Sequence, residues 1–160
     1  MVKEKGNGTT IIVMSGDMDK AIAAFNIAVG AAAADKETNM FFTFWGIKAI
    51  QKGNFTGKSL FGRMIGLLNR GGISRIGPSR FNMFGLGRWM FKVMMKNKNI
   101  PSLEELRQTA LDLGVKLWPC QMSLEVMEIK ADDLIEGVQD SCGVAAMLEM
   151  SDRSKQTLFI

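Results

Sequence analysis

Two short runs, Thr9–Ser15 (TTIIVMS) and Asn39–Trp45 (NMFFTFW), constrain this chain more than any other feature. The first is rich in β-branched residues and is followed by Gly16 and Asp17, a strand-turn-helix signal in which Asp17 can cap the helix. The second is aromatic and apolar throughout, as a central parallel strand buried on both faces should be. Between them, residues 18–34 carry Ile22, Phe25, Ile27 and Val29 on an alanine-rich background, the pattern of a tightly packed helix. Further on, Pro101, Ser102 and Glu105 form a capping-box start for a helix through Leu113, closed by Gly114. Val115–Trp118 reads as a third strand stopped at Pro119, and Ala131–Glu136 and Val144–Ser151 read as helices, with a short strand near Val138 as an option between them. Gln156–Ile160 (QTLFI) is the last strand. Such alternation predicts an α/β fold, a parallel sheet covered by helices on both faces, with sites collecting at the carboxyl ends of the strands.

The 160 residues suit one domain, and at this length a chain buries about two thirds of its unfolded surface without a metal or disulfide staple. Histidine and tyrosine are absent, and Cys120 and Cys142 are the only cysteines. The chain alone therefore cannot build a Ser-His-Asp or Cys-His pair, a two-His zinc site, a four-Cys zinc site or an iron–sulfur cluster. No metal and no cofactor are expected, and the chemistry left is that of thiols, carboxylates and lysines, or none. The N-terminus MVKEKGNGTT is polar, with no signal-peptide core, and the longest uncharged stretch, Ala21–Ala34, has fourteen residues. A bilayer needs about 20 apolar residues, so the expected compartment is the cytoplasm, where thiols stay reduced.

The net charge of +4 hides an asymmetry: from Thr38 through Leu103 there are eleven Lys and Arg and no acid, leaving nine basic against sixteen acidic residues elsewhere, a balance of −7. Ten of the seventeen glycines lie between Gly46 and Gly87. The region 46–100 therefore reads as a distinct basic segment inserted into an ordinary framework. In it Phe55, Leu60, Phe61, Ile65, Leu67 and Leu68 interleave with Lys58, Arg63 and Arg70, and Trp89, Met90, Phe91, Val93, Met94 and Met95 with Arg88, Lys92 and Lys96. Three readings are open: packing on the domain or a neighbouring subunit, docking of a partner, or contact with a membrane surface. Charge alone also admits nucleic acid, but no binding motif accompanies it.

Phosphate motifs are absent. Gly57-Lys58-Ser59 resembles the end of a phosphate loop, but Lys52 sits where its first glycine belongs. Gly85-Leu86-Gly87 lacks the third glycine of a dinucleotide fingerprint, and SGDMD places two carboxylates where a pyrophosphate would sit.

Cys120 follows Pro119 at the carboxyl end of the third strand and leads into QMSLEVM, which can begin a short helix. Backbone N–H groups and a helix dipole there favour the thiolate; the alternative is a small apolar side chain in the core. Cys142, in DSCGV, could resolve an oxidised Cys120, accept sulfur from it, or simply pack against its glycine turn.

The stretches TTIIVMSGDMDKAIAAFNIAVGAAA, FFTFWGIKAI, PSLEELRQTALDLGVKLWPCQMSLEVMEI and GVAAMLEMSDRSKQTLFI, with the basic stretch between, resemble the DsrE-like (DsrE/DsrF/DrsH-type) family of sulfur-relay proteins, in its branch with a long basic insertion. The resemblance covers nearly the whole chain, and W-P-C-Q-M-S is its most specific part. It implies a three-layer α/β/α fold, which with the strands above gives a mainly parallel sheet of about five strands in the flavodoxin-like topology class. It also implies homo-oligomers and a cysteine that carries sulfane sulfur as a persulfide between donor and acceptor proteins. Cys120 matches that position, with Cys142 a candidate second thiol. Peroxidase activity is not implied, since no peroxiredoxin-type motif surrounds either cysteine. The expected function is that of a sulfurtransferase or sulfur carrier; the alternative is a non-catalytic oligomeric binding protein that docks a partner or the membrane surface through its basic segment. Lowering a thiol pKa from about 8.5 toward 7 takes only some 2 kcal/mol, within reach of a helix N-terminus and one cation from the basic segment.

Overall fold

β1 (Gly8–Val13) pairs in parallel with β2 (Thr38–Phe42), from Thr9 opposite Thr38 to Val13 opposite Phe42. In the computed structural model, which describes residues 6–68 and 70–160, the helices are α1 (Met18–Ala33), α2 (Leu60–Leu68), α3 (Leu86–Asn97), α4 (Leu103–Asp112), α5 (Gln121–Val126) and α6 (Val144–Asp152). β3 (Lys116–Pro119) lies beyond β2, and β4 (Ser154–Phe159) lies on the other side of β1, all in parallel. The order is β3-β2-β1-β4, with helices on both sides of the sheet.

The core follows from the apolar runs. Ile11 and Val13 of β1, Met40 and Phe42 of β2 and Leu117 of β3 are buried in one cluster with Ala21, Ala24, Phe25 and Ala28 of α1 and Leu103, Leu106 and Ala110 of α4. Alanines at the buried positions of α1 let it approach the sheet and α4 closely. The capping box forms as expected: Glu105 N–H donates to Ser102 Oγ at 3.2 Å, and Ser102 N–H to the Glu105 carboxylate at 2.7 Å. Gly114 ends the helix with φ +78°, a backbone state that suits glycine.

Three details differ from the sequence expectation. The sheet has four regular strands rather than about five, among the described residues. What stands for a fifth is a rail beyond β3 touching it at two isolated parallel bridges, Leu117 with Val138 and Cys120 with Cys142. The rail carries one residue more than β3 over that span, a bulge that breaks the ladder. The order also departs from the flavodoxin-like class, where the first strand sits between the second and third; here β1 sits between β2 and the last strand. Finally, Ala131–Glu136 is not an α-helix. It makes a 3-10 turn at Ala131–Asp133, the Asp133 carboxylate accepts from Lys130 N–H, and Leu134 bridges Gln51. Six residues are too few to nucleate a helix against those competing bonds.

In the basic segment, α2 buries only Gly62 and Gly66 and α3 only Gly87. Most of their large side chains point outward: Phe61 is 72% exposed, Leu68 79% and Trp89 63%. Glu128 anchors the start of α2, accepting from the backbone N–H groups of Lys58 and Ser59. Among the described residues, no helix is long and apolar enough to cross a membrane.

Candidate thiol site

β3 delivers Cys120 to the carboxyl edge of the sheet. Its N–H donates to Phe42 O at 2.8 Å, continuing the β2–β3 ladder one step, and its carbonyl accepts from Leu124 N–H as α5 begins. Cys120 is the N-cap residue of α5, as the sequence suggested. The residue is 1% exposed, so the thiol is closed off. Among the described residues, the Cys120 side chain makes no cap hydrogen bond. Lys48, Arg70, Arg75 and Arg88 line a pocket of about 590 Å³ beside the Gly16–Asp17 turn after β1. Arg70 and Arg88 are held there by the carbonyls of Gly53 and Arg75, and burial presses the Lys48 ammonium below the usual lysine range, against the pull of Asp17.

The sequence left Cys142 undecided, and the fold brings it to Cys120. Cys142 N–H donates to Pro119 O at 3.0 Å and Gln121 N–H to Cys142 O at 3.0 Å, so the two bonds bracket Cys120. Both thiols are free, and Cys142 is the more exposed. Burial, and then the neighbouring Cys120, push the Cys142 thiol above its ordinary range.

Ser123 escaped the sequence reasoning, although it closes the W-P-C-Q-M-S segment. It is fully buried; its hydroxyl pairs with Thr43 Oγ1 at 2.9 Å and accepts from Phe44 N–H at 3.0 Å. Ser123 thereby fastens α5, and the Cys120 turn with it, to the end of β2. Phe44 sits there at φ +43°, a left-handed conformation costly for a bulky residue and held by that bond. Among the described residues, no group of three or more Cys, Asp and Glu side chains is placed to hold a metal.

A model of the DsrE/DsrF/DrsH-like family matches residues 5–159. The chain belongs to that family. The uncharacterized protein YrkE of Bacillus subtilis is 38% identical over 159 residues, covering 98% of this chain and 99% of the relative. The sulfur carrier protein DsrE2 of Allochromatium vinosum is 31% identical over 154 residues, covering 94% and 96%. The crystal structure of the ychN protein from E. coli superposes with a TM-score of 0.60 at 9% identity, covering 96% of this chain and 99% of that one. The protein of unknown function MTH1491 from Methanobacterium thermoautotrophicum gives 0.52 at 13%, covering 95% and 98%. These structural likenesses establish the DsrE-like fold.

Proposed function

We propose that this protein is a sulfur carrier: the Cys120 thiolate takes sulfane sulfur from a donor persulfide, holds it as Cys120-S-SH, and yields it to an acceptor thiol. The observation that carries the reading is the place of Cys120, at the carboxyl edge of a parallel sheet and the head of α5, in a chain similar over nearly its whole length to a sulfur carrier protein. Burial suits storage, because a persulfide shut away from solvent thiols is lost slowly. No metal, cofactor or histidine takes part. The reduced protein is loaded with inorganic polysulfide, the donor is removed, and intact mass is followed. Wild type is expected to retain one sulfur atom, mapped to Cys120. Retention for as long by Cys120→Ala sinks the assignment.

The basic region 46–100 serves, in this reading, as an insertion in one functional unit, residues 1–160, and its occupant is a second copy of the chain. Exposed Phe61, Leu68 and Trp89 supply apolar contact. Eleven positive charges without an acid face a remainder of the chain at −7, so each copy carries both halves of a complementary pair. Homo-oligomers assembled this way leave donor and acceptor proteins to approach the thiol edge.

A further inference from the structure

We propose that Cys142 is the port of the carrier: sulfane sulfur enters and leaves the closed Cys120 by way of the Cys142 thiol. The inference rests on Cys120 being the storage thiol.

The first observation is register. Cys120 and Cys142 face each other across adjacent parallel rails, fixed by backbone bonds on both sides of Cys120. Paired residues on neighbouring rails have Cα atoms about 5 Å apart and side chains on the same side of the sheet, within the reach over which two cysteine sulfurs can share a bond. The second observation is the contrast in access. Cys120 is 1% exposed, whereas Cys142 is partly open, beside the glycine that starts α6. Sulfur exchange needs a nucleophile to reach the sulfur from outside, and of these two thiols Cys142 is the one in contact with solvent. That Cys120 helps raise the pKa of the Cys142 thiol is consistent with their closeness.

The chemistry is two successive exchanges. The Cys142 thiolate attacks the outer sulfur of a donor persulfide or polysulfide, forming one S–S bond while the donor thiolate leaves with the electron pair of the old one. The Cys120 thiolate then attacks that same sulfur. The bond to Cys142 breaks, its electron pair returns to Cys142 Sγ, and the proton given up by Cys120 passes to Cys142. One S–S bond is made and one broken at each step, so no oxidant or reductant is consumed, and unloading is the reverse.

Inorganic polysulfide as donor, with quenching by alkylation and peptide mass mapping at successive times, tests this on wild-type protein without relying on any variant. Sulfur is expected on Cys142 first and on Cys120 later. Cys142→Ser and Cys142→Ala, checked for native circular dichroism, are expected to load Cys120 at least about tenfold more slowly, since access limits thiol exchange. Equal loading rates in those variants overturn the port and leave the carrier standing. Release of sulfide with an intramolecular Cys120–Cys142 disulfide also overturns it, because the second thiol then discharges sulfur instead of relaying it. Wild-type protein that holds sulfur on neither thiol overturns the carrier itself.

Discussion

Ser123 holds more of the site than its size suggests. Its hydroxyl is buried between Thr43 Oγ1 and Phe44 N–H, so Ser123→Ala strands a backbone donor in a strained, left-handed residue. A lost buried partner of this kind costs about 1–3 kcal/mol, to be read from chemical denaturation. A change below a few tenths would mean that water replaces the hydroxyl freely. Cys120 itself was legible, because the end of a strand before a short helix is a position with chemical meaning whatever the tertiary structure. Whether it is open or buried was left undecided there, because closure depends on the Cys142 rail and the β2 end, which the sequence places 22 and 78 residues away. For the same reason the partnership of Ser123 with Thr43, 80 residues apart, left no local trace.

Among the elements, those whose signal is local came through and those shaped by a distant bond did not. The apolar runs of β1 and β2 and the capping box of α4 formed where their residues indicated. Ser102→Ala is expected to cost about 1 kcal/mol, the usual price of an N-cap, measurable by thermal or urea unfolding. The segment 131–136 followed Leu134 and Asp133 into a turn. The helices of the basic segment turn glycines inward and most of their large side chains outward, an arrangement on which the sequence had left packing, docking and membrane contact open. Glu128, which accepts from Ser59 and Lys58 at the start of α2, has its carboxyl held below the usual range by those hydrogen bonds. A depressed folded pKa contributes stability that is complete above the unfolded value, about 4.3, and fades as pH falls through the folded one. Limited proteolysis within α2 is therefore expected to speed up as pH drops across the carboxylate range. In Glu128→Gln it should already be faster at neutral pH and change less on acidification; an unchanged pH profile in that variant would show that Glu128 does not anchor the helix.

At the scale of the whole molecule, the proposed self-association rests on the split between a basic, apolar middle and an acidic remainder. Screening shortens the reach of charge from about 10 Å at 0.1 M salt to about 3 Å at 1 M. Analytical ultracentrifugation is expected to show an oligomer at low salt that dissociates as salt rises, and Arg63→Glu with Lys58→Glu should weaken it further. A monomer at every salt concentration would reject self-association; binding to anionic vesicles would then identify a lipid surface as the occupant. The broken ladder beyond β3 has a dynamic consequence. An edge attached at two points opens locally at a small fraction of the free energy that unfolds a central sheet. Cys120 is tied into the β2–β3 ladder while Cys142 is held through its bonds with Pro119 and Gln121, so opening of this one edge would part the two sulfurs without unfolding the sheet.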